Sequence, residues 1–346
     1  MNNYKDKILG ALLGAAVGDS MGTISEGFSP EFLKKRYSGY IEDLLDPTDD
    51  GMTVNAHAGM VSDDFSVAYY TAEVMLEARS KITPELAKKG LLRWWEHPEY
   101  TCYCGPSTKK GIMRLMDSAG QETPDTELMF NNKLVTNGAG MKAGLMGLFN
   151  PENPQAAVRD AITMCSLTHT NPLSLAGACA AAGATAAAFG KGISYLELIQ
   201  AGIACAKEGY ELTAPHFGPL AGGDIERRIG LATEIGLKYQ HDFEKAMITI
   251  ADTIGCGIYA YEAIPAAFGM IAATKGETMP ALIMSVNAGS DADSVACIIG
   301  YILGAYRGTG SMPDKFLSMI DTANDFSLEH LAEGILKIVE EAANDK

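Results

Sequence analysis

The chain has 346 residues, 47% apolar and 20% charged, and its 43 acidic and 27 basic side chains leave a net charge of −16. That length and apolar content suffice for one large buried core. So acidic a surface repels a phosphate backbone and excludes nucleic-acid binding as the main activity, although divalent cations held on the chain would still admit a small anionic substrate.

In chain order, the first expected element is a helix over 6–18. Lys5, Lys7 and the apolar run from Ile8 to Val17 have the outline of a secretory leader. Asp6 interrupts the basic part, however, and Gly10, Gly14 and Gly18 recur at helical spacing. Retention of this segment and a cytoplasmic protein are therefore expected. The cysteines agree: Cys102, Cys104, Cys165, Cys179, Cys205, Cys256 and Cys297 are odd in number and form no CxxC pair. Most stand in Ala/Gly/Ile-rich stretches, where cysteine packs as a small core residue.

Apolar and small residues at helical spacing predict further helices over 66–78, 84–94, 174–189, 195–207, 243–252, 257–273, 294–306 and 328–343. Two-residue alternation is missing, and with it the strand–helix rhythm of an α/β chain. None of the runs after the first approaches a membrane span. The stretch from Gly177 to Ala184 is almost wholly Gly, Ala and Cys. Such faces let helix axes approach closely, and that packing has to offset the poor helix propensity of glycine. The expectation is one all-α domain over 1–346. Polar stretches at 38–60 and 97–140 read as long loops, the second containing turn chemistry at Gly105-Pro106-Ser107-Thr108 and Asn137-Gly138-Ala139-Gly140.

One local pattern occurs twice. Ser62-Asp63-Asp64-Phe65-Ser66 precedes the helix starting near Val67, and Ser290-Asp291-Ala292-Asp293-Ser294 precedes the one starting near Val295. Ser and Asp are favoured N-caps and carboxylates suit the positive helix end, so either cluster alone reads as capping. Capping needs one such residue, whereas each cluster brings two carboxylates. Four gathered together would repel unless cations lay between them. Carboxylate and hydroxyl oxygens select Mg²⁺ or Mn²⁺, and two such ions would hold a water and orient a scissile group. No His/Cys spacing of the zinc kind competes. Asp291-Ala292-Asp293 also has the form of a phosphatase nucleophile motif, but too little chain follows it for that fold. Asp63-Asp64 lacks the final acid of a DDxxD motif, since Val67 stands there, and His241-Asp242 sits in a charged segment that reads as exposed surface.

Taken in order, several segments resemble the ADP-ribosylglycohydrolase family. Gly10-Ala11-Leu12-Leu13-Gly14-Ala15-Ala16-Val17-Gly18-Asp19, continuing to Glu26, is similar to its opening helix and glutamate-bearing loop. Ser62-Asp63-Asp64 stands at its Thr-Asp-Asp motif, and Asn137-Gly138-Ala139 and Leu167-Thr168-His169 resemble two substrate-side loops. Glu262-Ala263-Ile264-Pro265-Ala266-Ala267 resembles the segment before its last metal motif, and Asn287 to Ser294 is similar to its closing Asp-x-Asp-Thr/Ser element. The set covers nearly the whole chain, and its order is more specific than any single motif.

The resemblance implies a compact orthogonal multi-helix bundle with a central two-metal site holding two Mg²⁺ (or Mn²⁺) ions. The implied metal ligands are Ser62, Asp63, Asp64, Asp291, Asp293 and Ser294. Catalysis falls to Glu26, Asp64 and Asp291, with Glu26 polarising water or relaying a proton. Substrate binding falls to Asn137, Gly138 and Ala139 through backbone N–H groups, and to His169 against ribose or phosphate. Without the resemblance, Glu26 reads as a loop glutamate, His169 as a structural histidine and 137–139 as an ordinary turn. Asp19 is expected to support the Glu26 loop.

The implied activity is metal-dependent hydrolysis of an N- or O-ribosyl bond in an ADP-ribosylated or small-molecule substrate. The alternatives are a nucleoside N-ribohydrolase on the same scaffold and a non-catalytic ADP-ribose-binding or structural member. The leaving group and the oligomeric state are left open. Three features depart from the family pattern: Phe65 and Ala292 replace neighbouring hydroxyl residues, and the acidic loop over 43–60 is long. Few basic residues stand near the motifs, namely Lys109, Lys110 and Lys142.

Overall fold

Gly10, Gly14, Gly18 and Gly22 fall on one face of the first helix, α1 (Asn2–Thr23), and that face lies directly on the backbone of a helix almost 300 residues later, Ala292–Arg307. In this computed structural model, which describes residues 2–48, 56–117 and 134–344, a Cβ on Gly14 would stand 2.5 Å from the carbonyl oxygen of Gly300. One on Gly18 would stand 2.3 Å from the Ala296 oxygen, and one on Gly22 2.3 Å from the Asp293 Cα. Spacing of four residues brings the glycines onto one stripe. Their missing side chains let the two backbones touch. Gly14→Val is expected to cost about 3 kcal/mol or more, because the overpacked atoms are backbone and cannot rotate away. A thermal melt should show Tm lowered by at least about 5 °C, and an unchanged Tm would refute the backbone contact.

The helices after α1 are numbered in chain order among the described residues. They are α2 (Pro30–Arg36), α3 (Asp63–Ala78), α4 (Pro84–Trp94), α5 (Pro98–Thr101), α6 (Pro106–Asp117), α7 (Gly140–Leu148), α8 (Pro154–Cys165) and α9 (Pro172–Ala187). After these come α10 (Tyr195–Phe217), α11 (Ile225–Lys238), α12 (Phe243–Thr253), α13 (Ala260–Ala273), α14 (Thr278–Ala288), α15 (Ala292–Arg307), α16 (Lys315–Asn324) and α17 (Leu328–Asn344). No strand occurs among the described residues; one isolated antiparallel bridge joins Thr136 to Tyr259. The chain is all-α, as expected. No described helix is long and apolar enough to cross a membrane.

One large apolar core draws on residues from Ile8 to Ile338, and Val158, Cys179 and Cys205 form a small separate cluster. Helix α9 is buried at every position, and its small residues accept neighbours in notches: a Cβ on Gly183 would meet the Cys205 sulfur at 2.2 Å. Cys102 is exposed and the other six cysteines are buried. Tyr301 is buried beside Phe65, yet its hydroxyl finds no partner among the described residues. An unpaired buried hydroxyl costs free energy. Tyr301→Phe is therefore expected to keep or raise Tm, and a clear fall in Tm would show that the hydroxyl is bonded.

Several expected boundaries shift. The stretch 97–140 is not one loop: it contains α5 and α6, each opened by a proline that needs no N–H partner at that place. Residues 118–133 of that stretch, and 49–55 of the acidic stretch, lie outside the described residues. The element expected over 257–273 begins only at Ala260, and residues 254–259 form an irregular loop that reaches the site described below. Helix α7 escaped notice because Gly140, Gly144 and Gly147 interrupt it and all nine of its residues are buried, which leaves no polar face to mark the period.

Candidate active site

Asp19, near the end of α1, is fully buried and receives two backbone N–H groups from the start of α3, those of Ser62 (2.9 Å) and Phe65 (2.8 Å). Its expected service to the Glu26 loop is thus corrected: the carboxylate caps the helix that carries the first acid pair. Ser62 is the N-cap itself, accepting from the Asp64 N–H and donating to the Asp64 carboxylate, both at 3.2 Å. Asp63 and Asp64 then project from the first turn.

At the second cluster the chain reverses through Gly289 and Ser290, both in the left-handed region at φ 69° and 63°. A Cβ on Gly289 would lie 2.1 Å from the carbonyl oxygen of Phe28, so the turn requires glycine on two counts. Ser290 donates its N–H to the Phe28 carbonyl (3.0 Å), and Gly27 donates to the Ser290 carbonyl (2.8 Å). This stitch carries Glu26 to the start of α15. The carboxylates of Glu26, Asp291 and Asp293 all lie within 4.8 Å of one another.

Both acid pairs face one cavity of about 120 Å³, lined on its acidic side by Glu26, Asp63, Asp64, Asp291, Asp293 and Ser294. The rest of the wall is Tyr103, Gly105, Pro106, Thr108, Thr136, Asn137, Gly138, Met141 and Ile258. The Asn137 side-chain amide donates to the Asp291 carboxylate, and its backbone N–H donates to the Ile258 carbonyl at 2.8 Å. That backbone N–H is therefore already occupied. Of the sequence-derived candidates, Ser62, Ala139 and His169 do not line the cavity: Ser62 is held in its cap, Ala139 is buried in the turn and His169 stands behind the wall.

His169 is almost wholly buried, with Nε2 3.0 Å from the Thr136 hydroxyl and Nδ1 2.8 Å from the Thr168 hydroxyl. Burial, reinforced by Lys142 and Arg114, holds the imidazole well below its usual pKa and therefore neutral. Lys142 is itself buried and donates to Thr168 (3.2 Å), so it is spent inside the wall rather than on a ligand. Lys109 and Lys110 are exposed. Phe65 packs on Tyr69, Tyr301 and Phe326 in the core, and neither it nor Ala292 reaches the cavity. His241 and Asp242 are exposed, with Asp242 capping α12.

Among the lining residues there is no Lys, Arg or His. Burial, then the charges of Asp291 and Asp19, pushes Glu26 up to about 7; burial and the neighbouring acids push Asp63 up to about 8. Asp64 and Asp293 stand well above the usual carboxylate range for the same reasons. Oδ1 of Asp64 is buried with no hydrogen-bond partner among the described residues. Orphaned oxygen, crowded carboxylates and an all-oxygen donor set suit a hard divalent cation.

Tyr103, Thr136, Met141 and Ile258 went unnoticed in the sequence. Thr136 and Met141 flank the Asn137–Gly140 turn and Tyr103 stands two residues before Gly105, whereas Ile258, an apolar residue in an irregular loop, carries no sequence signal at all.

The sequence model of the ADP-ribosylglycohydrolase family matches residues 1–345. The chain is 25% identical over 338 residues to the protein YegU of Escherichia coli K12, covering 96% of this chain and 97% of that one. It is 24% identical over 320 residues to the ADP-ribosylarginine hydrolase Tri1 of Serratia proteamaculans, covering 91% and 75%. A solved structure described as an ADP-ribosylglycohydrolase-related protein complex superposes with a TM-score of 0.67 at 20% identity, over 98% of this chain and 100% of that one, which shows a shared fold. With the family matched end to end and both acid clusters facing one cavity, the chain belongs to the ADP-ribosylglycohydrolase family and is an enzyme of its glycosyl-bond hydrolase type.

Proposed function

We propose that the protein hydrolyses the bond between the anomeric carbon of ribose and an N- or O-linked group in an ADP-ribosylated substrate, at the acid-lined cavity. The observation that carries this reading is the joining of both acid pairs and Glu26 on one wall, with Asp64 Oδ1 left unpartnered. Asp63, Asp64, Asp291, Asp293 and Ser294 would hold two Mg²⁺ or Mn²⁺ ions, and Glu26 is near enough to Asp291 and Asp293 to share in the set. The bound ions would supply Lewis-acid stabilisation of ribose hydroxyls and of the attacking water.

The chain's own residues supply the rest. Glu26, which lines the cavity beside Asp291 and Asp293, takes a proton from water and returns it toward the leaving group. Asn137 orients Asp291 through its side-chain amide. Asp19 and Ser62, by capping α3, fix the direction in which Asp63 and Asp64 face the cavity. Thr108, Thr136 and Gly138 offer polar groups for ribose and phosphate oxygens, with Thr136 braced from behind by His169.

A second reading has one observation in its favour. The described lining offers no Lys or Arg to a pyrophosphate, as befits a nucleoside N-ribohydrolase. One assay separates the two: ADP-ribosyl-arginine, ADP-ribosyl-serine and unmodified nucleosides incubated with Mg²⁺ or Mn²⁺, with and without EDTA. Release of ADP-ribose that EDTA abolishes is expected. Release of free base from nucleosides alone would move the assignment to the second reading, and no turnover of any substrate would leave a binding protein.

A further inference from the structure

The irregular loop between α12 and α13, residues 254–259, stands between the two halves of the cavity wall and is bonded to both. The Cys256 carbonyl accepts the backbone N–H of Asp291 (2.9 Å), and the Ile258 carbonyl accepts the backbone N–H of Asn137 (2.8 Å). Ala260 donates to the Val135 carbonyl (3.0 Å), completing a short antiparallel bridge. An Asp291 carboxylate and an Asn137 amide that bond each other across the cavity are thus both hung from one short strap.

Ile254 and Cys256 anchor the first half of the strap in the core, whereas its second half lies outside any helix. Gly255, at φ 89°, and Gly257 give the backbone wide freedom, and Ile258 is 49% exposed. One side chain from α11 bonds on both sides of the strap. The guanidinium of Arg228 donates Nη2 to the Ile254 carbonyl (2.5 Å), at the start of the strap, and Nε to the Tyr261 carbonyl, in the first turn of α13 just beyond its end. Its plane also lies 5.9 Å from the Tyr261 ring, which stacks on Tyr259. Gly223 leaves room for the arginine stem, since a Cβ there would meet Arg228 Cδ at 2.7 Å. From the other side, the Glu262 carboxylate accepts the Gly257 N–H. A planar fork with fixed N–H directions suits two carbonyls at once; an ammonium group does not.

We propose that Arg228 is a positioning residue: by bonding Ile254 at the start of the 254–259 strap and Tyr261 just beyond its end, it sets how Asp291 and Asn137 face the acid cluster, and so governs divalent-cation affinity without touching the cavity. The cation part rests on the function proposed above, while the strap part does not. Groups that orient metal ligands from outside commonly change affinity by about 10- to 100-fold when removed.

The test uses the full chain with Arg228→Gln and Arg228→Lys. Two quantities are measured: amide hydrogen exchange of peptides covering Asn137 and Asp291 in metal-free protein, and Mn²⁺ affinity by titration calorimetry. Arg228→Gln is expected to speed exchange at both amides by about tenfold or more and to weaken Mn²⁺ binding by a similar factor. Arg228→Lys, which reaches one carbonyl at a time, should fall between. Exchange and affinity at wild-type values, with only Tm lowered, would overturn the proposal by showing that Arg228 merely stabilises α11. If the wild-type protein takes up no Mn²⁺, the metal reading fails, and amide exchange still decides the role of Arg228. Should Arg228→Gln not fold, Arg228→Lys decides by the same two readouts: wild-type values overturn the proposal, intermediate ones support it.

Discussion

Asp64→Asn and Asp291→Asn are each expected to lower metal-dependent turnover by roughly 10³-fold or more, equivalent to about 4 kcal/mol of barrier. Neither change alters side-chain volume. Asn at 291 still accepts a hydrogen bond from Asn137, so the wall stays in place. What disappears is the negative charge that would hold the cations, and with it Mn²⁺ uptake measured by calorimetry. Asp64 is the sharper case, because its Oδ1 has no protein partner to lose. Metal-free Asp64→Asn should also melt no lower than the wild type, since burial and the neighbouring acids disfavour a charge at this position, which Asn cannot carry. Loss of activity with retained or increased stability marks a residue kept for chemistry. Full activity in either variant would remove the acid pairs from the mechanism.

The second large effect is a linkage among pH, metal and stability. Glu26 moves from 4.5 up to about 7 on folding, and Asp63 from 3.8 up to about 8. Between about pH 4 and pH 8 the folded protein therefore holds protons that the unfolded chain has released. The sign follows: these groups favour the fold most below about pH 4, and that advantage is lost as pH rises through about 7 to 8. For Glu26 alone the loss is about 3 kcal/mol. In EDTA, Tm should thus fall between pH 5 and pH 8. Added Mn²⁺ should restore it at pH 8 and do much less at pH 5, where protons compete for the same oxygens. Melts at the two pH values with and without Mn²⁺ check this; a metal-free Tm that rises over that interval would contradict the buried, mutually repelling arrangement.

Much of this was readable from residue order. The two Ser-Asp clusters announced themselves because each held one carboxylate too many for a cap. The glycines of α1 were visible as a stripe at spacing four, although not their partner. Gly105 to Thr108 was noticed as turn chemistry, and three of its four residues line the cavity. His169 shows the opposite case: a Leu-Thr-His motif pointed to substrate, while the structure places the ring one hydroxyl behind the wall, bonded to Thr136. Ser62, expected as a ligand, caps its own helix end and also donates to the Asp64 carboxylate. For His169 the residue type was informative and the direction of the side chain was not.

Local sequence determined what neighbours along the chain can decide together: an all-helical protein, where most of its long helices run, and which four aspartates crowd two helix starts. Such features depend on backbone propensity, hydrophobic period and capping, which act within a few residues. Only the tertiary structure decided that Gly14 meets Gly300, that Phe28 and Ser290 stitch Glu26 beside Asp291, and that Arg228 clasps a strap carrying both Asp291 and Asn137. Each of those contacts joins residues far apart in the chain, where partner choice follows from how whole helix faces pack rather than from the identity of either residue.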